Sequence, residues 1–323
     1  MAVRALPPEL AGKFRDLADL QQAADGGYYA FDRMSHSVHR INAAWTSMTR
    51  LVSIGQAKGE LLQPSAFDSA ADIFAVSDAP FGLDRIQVFY KDGTPLGAFQ
   101  PRIRSLPRVT LGAAVMNGAG SLALTSDRVL LGEPDTGWLL SEYAIDGALK
   151  RNFGHLRATG HESDADVHIG LNTGIPLAAA DGGTWFVFQA GVPVLRKYDA
   201  KGNLEFERHI EGIELDPIVK ALPITWPRRR VGKDRELPLI QPNVQAAAVA
   251  PDGSIWIALS IAYVYVFDPA GDKRRVVQLE GAGTVSPTSL AFSREGRLIV
   301  TPGGYEFDVG SPARNRAAPG SRP

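Results

Sequence analysis

Three of the six histidines, His155, His161 and His168, share one short stretch with Glu162, Asp164 and Asp166. Imidazole nitrogens and carboxylate oxygens are suitable ligands for calcium, zinc or magnesium. His161, Asp164, Asp166 and His168 are therefore candidate metal ligands. Their spacing matches neither H-E-x-x-H nor an EF-hand loop, and the same stretch also reads as a solvated polar loop. A second constellation is basic: Trp226, Arg228, Arg229, Arg230, Lys233 and Arg235 lie within one run. Grouped guanidinium ions hold carboxylates, phosphates or sulfates bidentately, and an indole beside them offers a stacking face. That run is a candidate site for an anionic ligand or a partner; it also reads as a loop whose arginines pair with Asp234 and Glu236. A third polar segment, Gln100–Ala114, carries Arg102, Arg104 and Arg108.

Other chemistries find no support. The chain has no cysteine, which excludes thiolate metal sites, a cysteine nucleophile and disulfides. There is no G-x-S-x-G elbow, P-loop or complete dinucleotide fingerprint. Gly118-Ala-Gly120 and Gly281-Ala-Gly283 read as turns rather than phosphate loops. The net charge of −1 gives no global attraction to nucleic acid or an anionic membrane. No stretch approaches the roughly 18–20 apolar residues of a membrane span. The first residues, MAVRALPPELAGKF, contain no apolar run of signal-peptide length. The segment 311–323, rich in Pro, Arg and Ala, is expected to be disordered.

The elements that must position these residues repeat along the chain. One unit recurs: a small or apolar strand, an Asp/Gly turn, a β-rich strand, a loop, an alternating third strand, a polar turn and a fourth strand. The clearest copy runs from Val244 to Glu280, through VQAAAVA, Pro251-Asp252-Gly253, SIWIALS, YVYVFDP and KRRVVQL. Alternating runs of Val, Ile, Tyr, Phe and Trp ended by Gly/Asp turns are strand and hairpin signals. Second strands begin near Tyr28, Asp72, Arg128, Thr184, Ser254 and Arg297, so the shortest spacings are 44 and 43 residues. That is the length of one four-stranded propeller blade.

The sequence thus predicts an all-β fold, a six-bladed β-propeller of four-stranded antiparallel blades in one domain, 1–310. The blades are expected at 17–60, 61–105, 109–158, 172–212, 240–281 and 284–310. Residues 2–7 supply the strand missing from the last blade and so close the ring. A β-sandwich of similar composition is the competing fold, but sandwiches rarely show a unit period. Tyr28, Tyr29, Trp185, Trp256 and Tyr263 fall on strands and are assigned to packing between blades. Three segments between blades exceed the unit length: Gln100–Ala114, His155–Gly174 and Gly212–Asn243. Insertions this long in a compact domain are usually functional or disordered. In a propeller they gather on one face with the loops between second and third strands, which here hold His36 and His39, Asp78 and Asp84, and Glu133 and Asp135.

The stretch Gly55-Gln56-Ala57-Lys58-Gly59-Glu60-Leu61-Leu62-Gln63-Pro64 resembles the G-x-G-x-G-E-F-x-x-P connector of NHL repeats, with Ala57 at the middle glycine and Leu61 at the phenylalanine. DIFAVSD and Arg85-Ile-Gln-Val-Phe89 follow it, as in that repeat, and VHRI (Val38–Ile41) and VYVFDPAG (Val264–Gly271) look like further third strands. The chain is similar to bacterial six-bladed propellers of this superfamily, many of them exported, which implies an extracytoplasmic location. Such propellers host lactonases, lyases, sensors and scaffolds alike, so the fold does not assign the function. With no catalytic constellation recognised, the leading expectation is a monomeric binding module or scaffold for a protein, peptide or small anionic ligand on the insertion face. The alternative is a metal-dependent hydrolase or lyase, lactonase-like or streptogramin-lyase-like, with its site at the channel mouth.

Overall fold

A computed structural model describes residues 1–101, 109–111, 114–116, 121–231 and 235–310. Arg102, Arg104, Arg108, the Gly118–Gly120 turn, Lys233, Asp234 and the segment 311–323 lie outside the described residues.

Six four-stranded antiparallel sheets stand around a central channel. Blade 1 consists of Leu17–Gln22, Tyr28–Asp32, Ser37–Ile41 and Met48–Val52, from the inner strand outward. Blades 2 to 5 repeat this order, with inner strands Ala66–Ala70, Leu122–Leu124, Gly174–Ala178 and Val244–Val249. Blade 6 takes its first three strands from Ser289–Phe292, Leu298–Thr301 and Tyr305–Phe307. Its fourth is Ala2–Ala5, antiparallel to Tyr305–Phe307. The predicted closure by the first residues is therefore present. Arg4 reinforces it, with its guanidinium carbon 3.9 Å from the centroid of the Trp45 ring.

Hairpins within the blades turn on glycines with positive φ. Gly93, at φ 86°, also approaches the backbone of Leu51 so closely that a Cβ would sit 2.8 Å from its carbonyl oxygen. A side chain there would clash with blade 1 as well as strain the turn.

Six hydrophobic clusters each fill the gap between one pair of adjacent blades. The blade 1–2 cluster stacks Phe31 on Phe67 and Phe74 on Phe89. The blade 4–5 cluster holds Trp185 and the blade 5–6 cluster Trp256, each at most 2% exposed. Both faces of each sheet are thus covered by neighbours, and the assignment of Tyr28, Tyr29, Trp185 and Trp256 to blade packing holds.

Among the described residues three short α-helices interrupt the strands: α1 (Pro8–Ala11), α2 (Ala165–Leu171) and α3 (Asp216–Lys220). No helix among the described residues is long and apolar enough to cross a membrane.

The long insertions differ from the loops expected. Residues 109–116 do not belong to blade 3, which opens at Leu122. Val109–Leu111 and Ala114–Met116 form a hairpin, and Arg228–Val231 and Arg235–Ile240 form another. The two hairpins join through parallel pairing of Thr110 with Leu239 and Leu111 with Ile240. The result is a seventh four-stranded sheet outside the ring. Helix α2, from the insertion His155–Gly174, packs Val167 and Leu171 with Trp226, Ile240 and Ala190 into a small core of its own. All three insertions thus combine into one cap.

Candidate functional site

Each blade's inner strand borders the channel, and these strands enclose a cavity of about 1890 Å³. Its wall is unequal. Blades 3, 4 and 5 contribute Leu122, Leu124, Ile175, Leu177 and an alanine-rich strand, Ala246–Val249. Every polar residue that the inner strands add to the lining, Gln245 excepted, comes from blades 1, 2 and 6, where Asp19, Gln21, Asp68, Ser69 and Ser289 lie among apolar neighbours such as Ala18, Phe67 and Leu290.

The polar half is a hydrogen-bonded belt across neighbouring blades. Asp19 accepts from the Leu20 amide at 2.8 Å and from Gln21 Nε2 at 3.0 Å. Gln21 Oε1 accepts from the Ser69 amide at 2.9 Å and from Ser69 Oγ at 2.7 Å. Asp68 accepts from the Ser69 amide at 2.9 Å and, in blade 3, from the Leu124 amide at 2.7 Å. Burial, and then the neighbouring charge of Asp68, push the Asp19 carboxyl up to about 7. Burial pushes Asp68 up to about 6. Both carboxyls therefore keep their protons to higher pH than surface carboxylates do.

The mouth lies on the insertion-bearing face, where His36, Gln63, Asp84, Gln189, Asn243 and Ile218 of α3 line the cavity. His36 and Gln63 both hold positive φ, 50° and 54°. This region is sparsely populated by residues other than glycine, and such strain concentrates at binding sites. The His36 Nδ1 atom is buried without a hydrogen-bond partner among the described residues.

The residues singled out by sequence are placed elsewhere or do structural work. Trp226 is 9% exposed, and its indole nitrogen donates to His161 Nε2 at 3.3 Å. It is a core residue of the cap and offers no stacking face to a ligand, because α2 needs its apolar surface. Arg228 pairs with Asp164 at 2.6 Å. Arg229 and Arg230 are exposed on their strand, and none of Trp226, Arg228, Arg229, Arg230 and Arg235 lines the cavity.

The metal candidates are likewise engaged. His161 takes the Trp226 donor, Asp164 caps α2 through the Val167 amide, and His168 Nδ1 lies 2.8 Å from Thr159 Oγ1. Asp166 sits in the first turn of α2. Among the described residues no group of three or more His, Asp or Glu is gathered to hold a metal ion. The residues present therefore do not form a ligand set.

Of the loop residues, His36 and Asp84 do reach the mouth. His39 is buried against Phe14 and bonded to Ser37. Asp78 accepts from Leu62 and Arg85, and Glu133 accepts from the Tyr143 hydroxyl at 3.0 Å. Asp19 and Asp68 were not among the sequence candidates. Their signal was an aspartate inside each of two strand patterns, DLADLQQ and SAFDS, where that residue is depleted.

The fold resembles solved structures of a streptogramin B lyase and a virginiamycin B lyase. A streptogramin B lyase structure superposes with a TM-score of 0.53 at 11% identity, covering 90% of this chain and 92% of that one. A catalytically inactive variant of virginiamycin B lyase from Staphylococcus aureus, with quinupristin, gives 0.53 at 12% identity over 87% and 76% of the two chains. The selenomethionine-substituted form of that enzyme gives 0.52 at 11% identity over the same shares. At these identities the likeness shows the six-bladed fold alone. No family model matches the chain, and no curated protein does.

Proposed function

We propose that the protein is a binding propeller that takes a small ligand into the channel mouth beneath the insertion cap. The ligand has an apolar body and a cationic or hydrogen-bond-donating head. The observation that carries this reading is the unequal wall: the two charged residues of the inner strands, Asp19 and Asp68, belong to blades 1 and 2, whereas the inner strands of blades 3 to 5 add no charged residue and line the channel mainly with Leu, Ile and Ala. Among the charged residues of that lining, Asp16, Asp19, Asp68 and Asp84 stand against Arg33 alone, and Arg33 is paired with Asp16 at 2.8 Å. An anionic ligand, expected from the arginine run, would meet the wrong charge in this cavity. The Gly55–Phe89 stretch, connector and following strands together, supports placing the chain among NHL-repeat-like propellers, and with them an extracytoplasmic location.

The test is thermal stabilisation by a panel of amphiphilic amines and their matched carboxylates. Amines are expected to raise the melting temperature of the wild type and to lose that effect in Asp19→Asn and Asp68→Asn. A ligand at one hundred times its Kd adds about 2.7 kcal/mol, a shift easily read. Because binding of a cation lowers the carboxyl pKa values, calorimetry near pH 7 should also show proton release. Equal stabilisation by the carboxylates, or none by either series, would overturn the reading. The rival, a metal-dependent hydrolase or lyase, has the likeness of fold behind it. About one tightly held divalent ion per chain in protein purified without chelator would put it ahead.

A further inference from the structure

We propose that the ligand of the channel is the free N-terminus of an extended peptide, which enters amine first and holds its leading residues inside the lumen. This inference rests on the channel reading above and names the class of ligand.

The carboxylates set where the amine goes. Asp19 follows Asp16 by three residues and Asp68 follows Ser65 by three, and Asp16 and Ser65 lie at the mouth. At ~3.3 Å per residue, both carboxylates therefore lie about 10 Å below the rim. The four-carbon stem of a lysine on a partner's surface does not extend that far, whereas a short extended chain does. The Leu20 amide, Gln21 Nε2 and the Ser289 side chain bond Asp19, and the Ser69 and Leu124 amides bond Asp68. A carboxylate offers roughly four acceptor sites, so an ammonium N–H still finds one on each. Among the described residues no Lys or Arg neutralises either carboxylate.

Free amides mark the path of the backbone. Gln245 is the one polar residue that the inner strands of blades 3 to 5 add to the lining. It belongs to blade 5, across the six-bladed ring from Asp68 on blade 2. Gln63, Gln189 and Gln241 join it nearer the mouth. Among the described residues none of these four side chains makes a hydrogen bond. Each carboxamide offers a donor and an acceptor, the same two groups that a peptide bond presents. The wall facing the carboxylates is built by residues such as Leu124, Ile175, Leu177 and Ala246, which suit small aliphatic side chains. A polyamine would set its further charges against that wall, and an amino sugar its hydroxyls, each without a partner there.

The probe is the peptide amide Ala-Leu-Ala-Leu-Gly-Gly, titrated into the full chain by calorimetry. It is expected to bind saturably, and N-acetylation should weaken it at least about tenfold. Gln245→Leu keeps the volume, removes the amide and should weaken the free peptide about fivefold. If that variant lowers the melting temperature, the double variant Gln63→Ala/Gln241→Ala, at exposed rim positions, reads the same loss. Equal binding of the acetylated peptide, or of an acetylated peptide with Lys in first place, would overturn the proposal. So would full affinity in the amide variants, or spermidine binding more tightly than the peptide. Hexylamine separates this inference from the reading beneath it. Stabilisation by hexylamine without binding of the free peptide overturns the peptide assignment alone, and failure of both removes the channel reading with it.

Discussion

Asp19 and Asp68 hold their protons more tightly in the fold than in the unfolded chain, where carboxyls titrate near 4. Between that value and about 7 the folded state binds more protons than the unfolded one. Their contribution to stability is therefore favourable at low pH and is lost as pH rises through this window. Asp19→Asn is expected to raise the melting temperature by a few degrees at pH 8 and to leave it nearly unchanged at pH 4. Calorimetric scans of variant and wild type at both values check this, and a lower melting temperature at pH 8 would show that the ionised carboxylate is structurally required. Carboxylates such as Asp181, bonded to Lys197, shift downward and act with the opposite sign. Only the difference between variant and wild type isolates Asp19. A residue that costs stability at neutral pH and lines a cavity is a reasonable place to expect a ligand.

At the scale of elements, the connector Gly55–Pro64 shows why a sequence pattern was legible. Arg85 donates to Asp78 at 2.6 Å and to the carbonyls of Gln56 and Glu60, both at 3.1 Å. Gln87 donates to the Glu60 carbonyl at 2.7 Å and accepts from the Gly59 amide at 2.9 Å. The recognisable residues are thus the ones that tie a connector to the next blade, and they inform about fold rather than ligand. Asp78 has no side-chain exposure, so Arg85→Ala leaves a buried carboxylate without its cation. The expected cost is about 3–5 kcal/mol in urea unfolding. The exposed pair Lys91–Asp72 should cost less than about 1 kcal/mol when broken. The cap was not legible for the opposite reason. Its strands are three to six residues long, too short to show a period, and the two hairpins that meet lie far apart in the chain. Trp226 beside three arginines looked like a ligand platform because the apolar face of α2 that claims it lies in a different insertion. The channel acids were hidden because an inner strand carries the same apolar alternation whether or not a polar residue borders the lumen.

For the whole molecule, the ring depends on a seam between distant parts of the chain. Ala2–Ala5 supplies the outer strand of blade 6, Leu6 and Leu10 pack with Leu20 and Ile299, and the buried Glu306 takes the Tyr28 hydroxyl. Removing residues 1–7 should expose the Tyr305–Phe307 edge, lower the melting temperature and promote association through that edge. Scanning calorimetry and size-exclusion chromatography would register both effects, and a peptide of residues 1–7 added in trans should partly reverse them. An unchanged melting temperature would mean that the interblade clusters alone hold the ring. The cap sheet adds a different kind of tie. Its parallel pairing of 110–111 with 239–240 joins the link before blade 3 to the link after blade 4. Those two blades sit inside a buckle fastened from outside the ring. Under a pulling force applied at the chain ends, the seam in blade 6 would part first and the flanking blades would unravel singly. The buckled pair would hold until its clasp slipped, then release as one long extension.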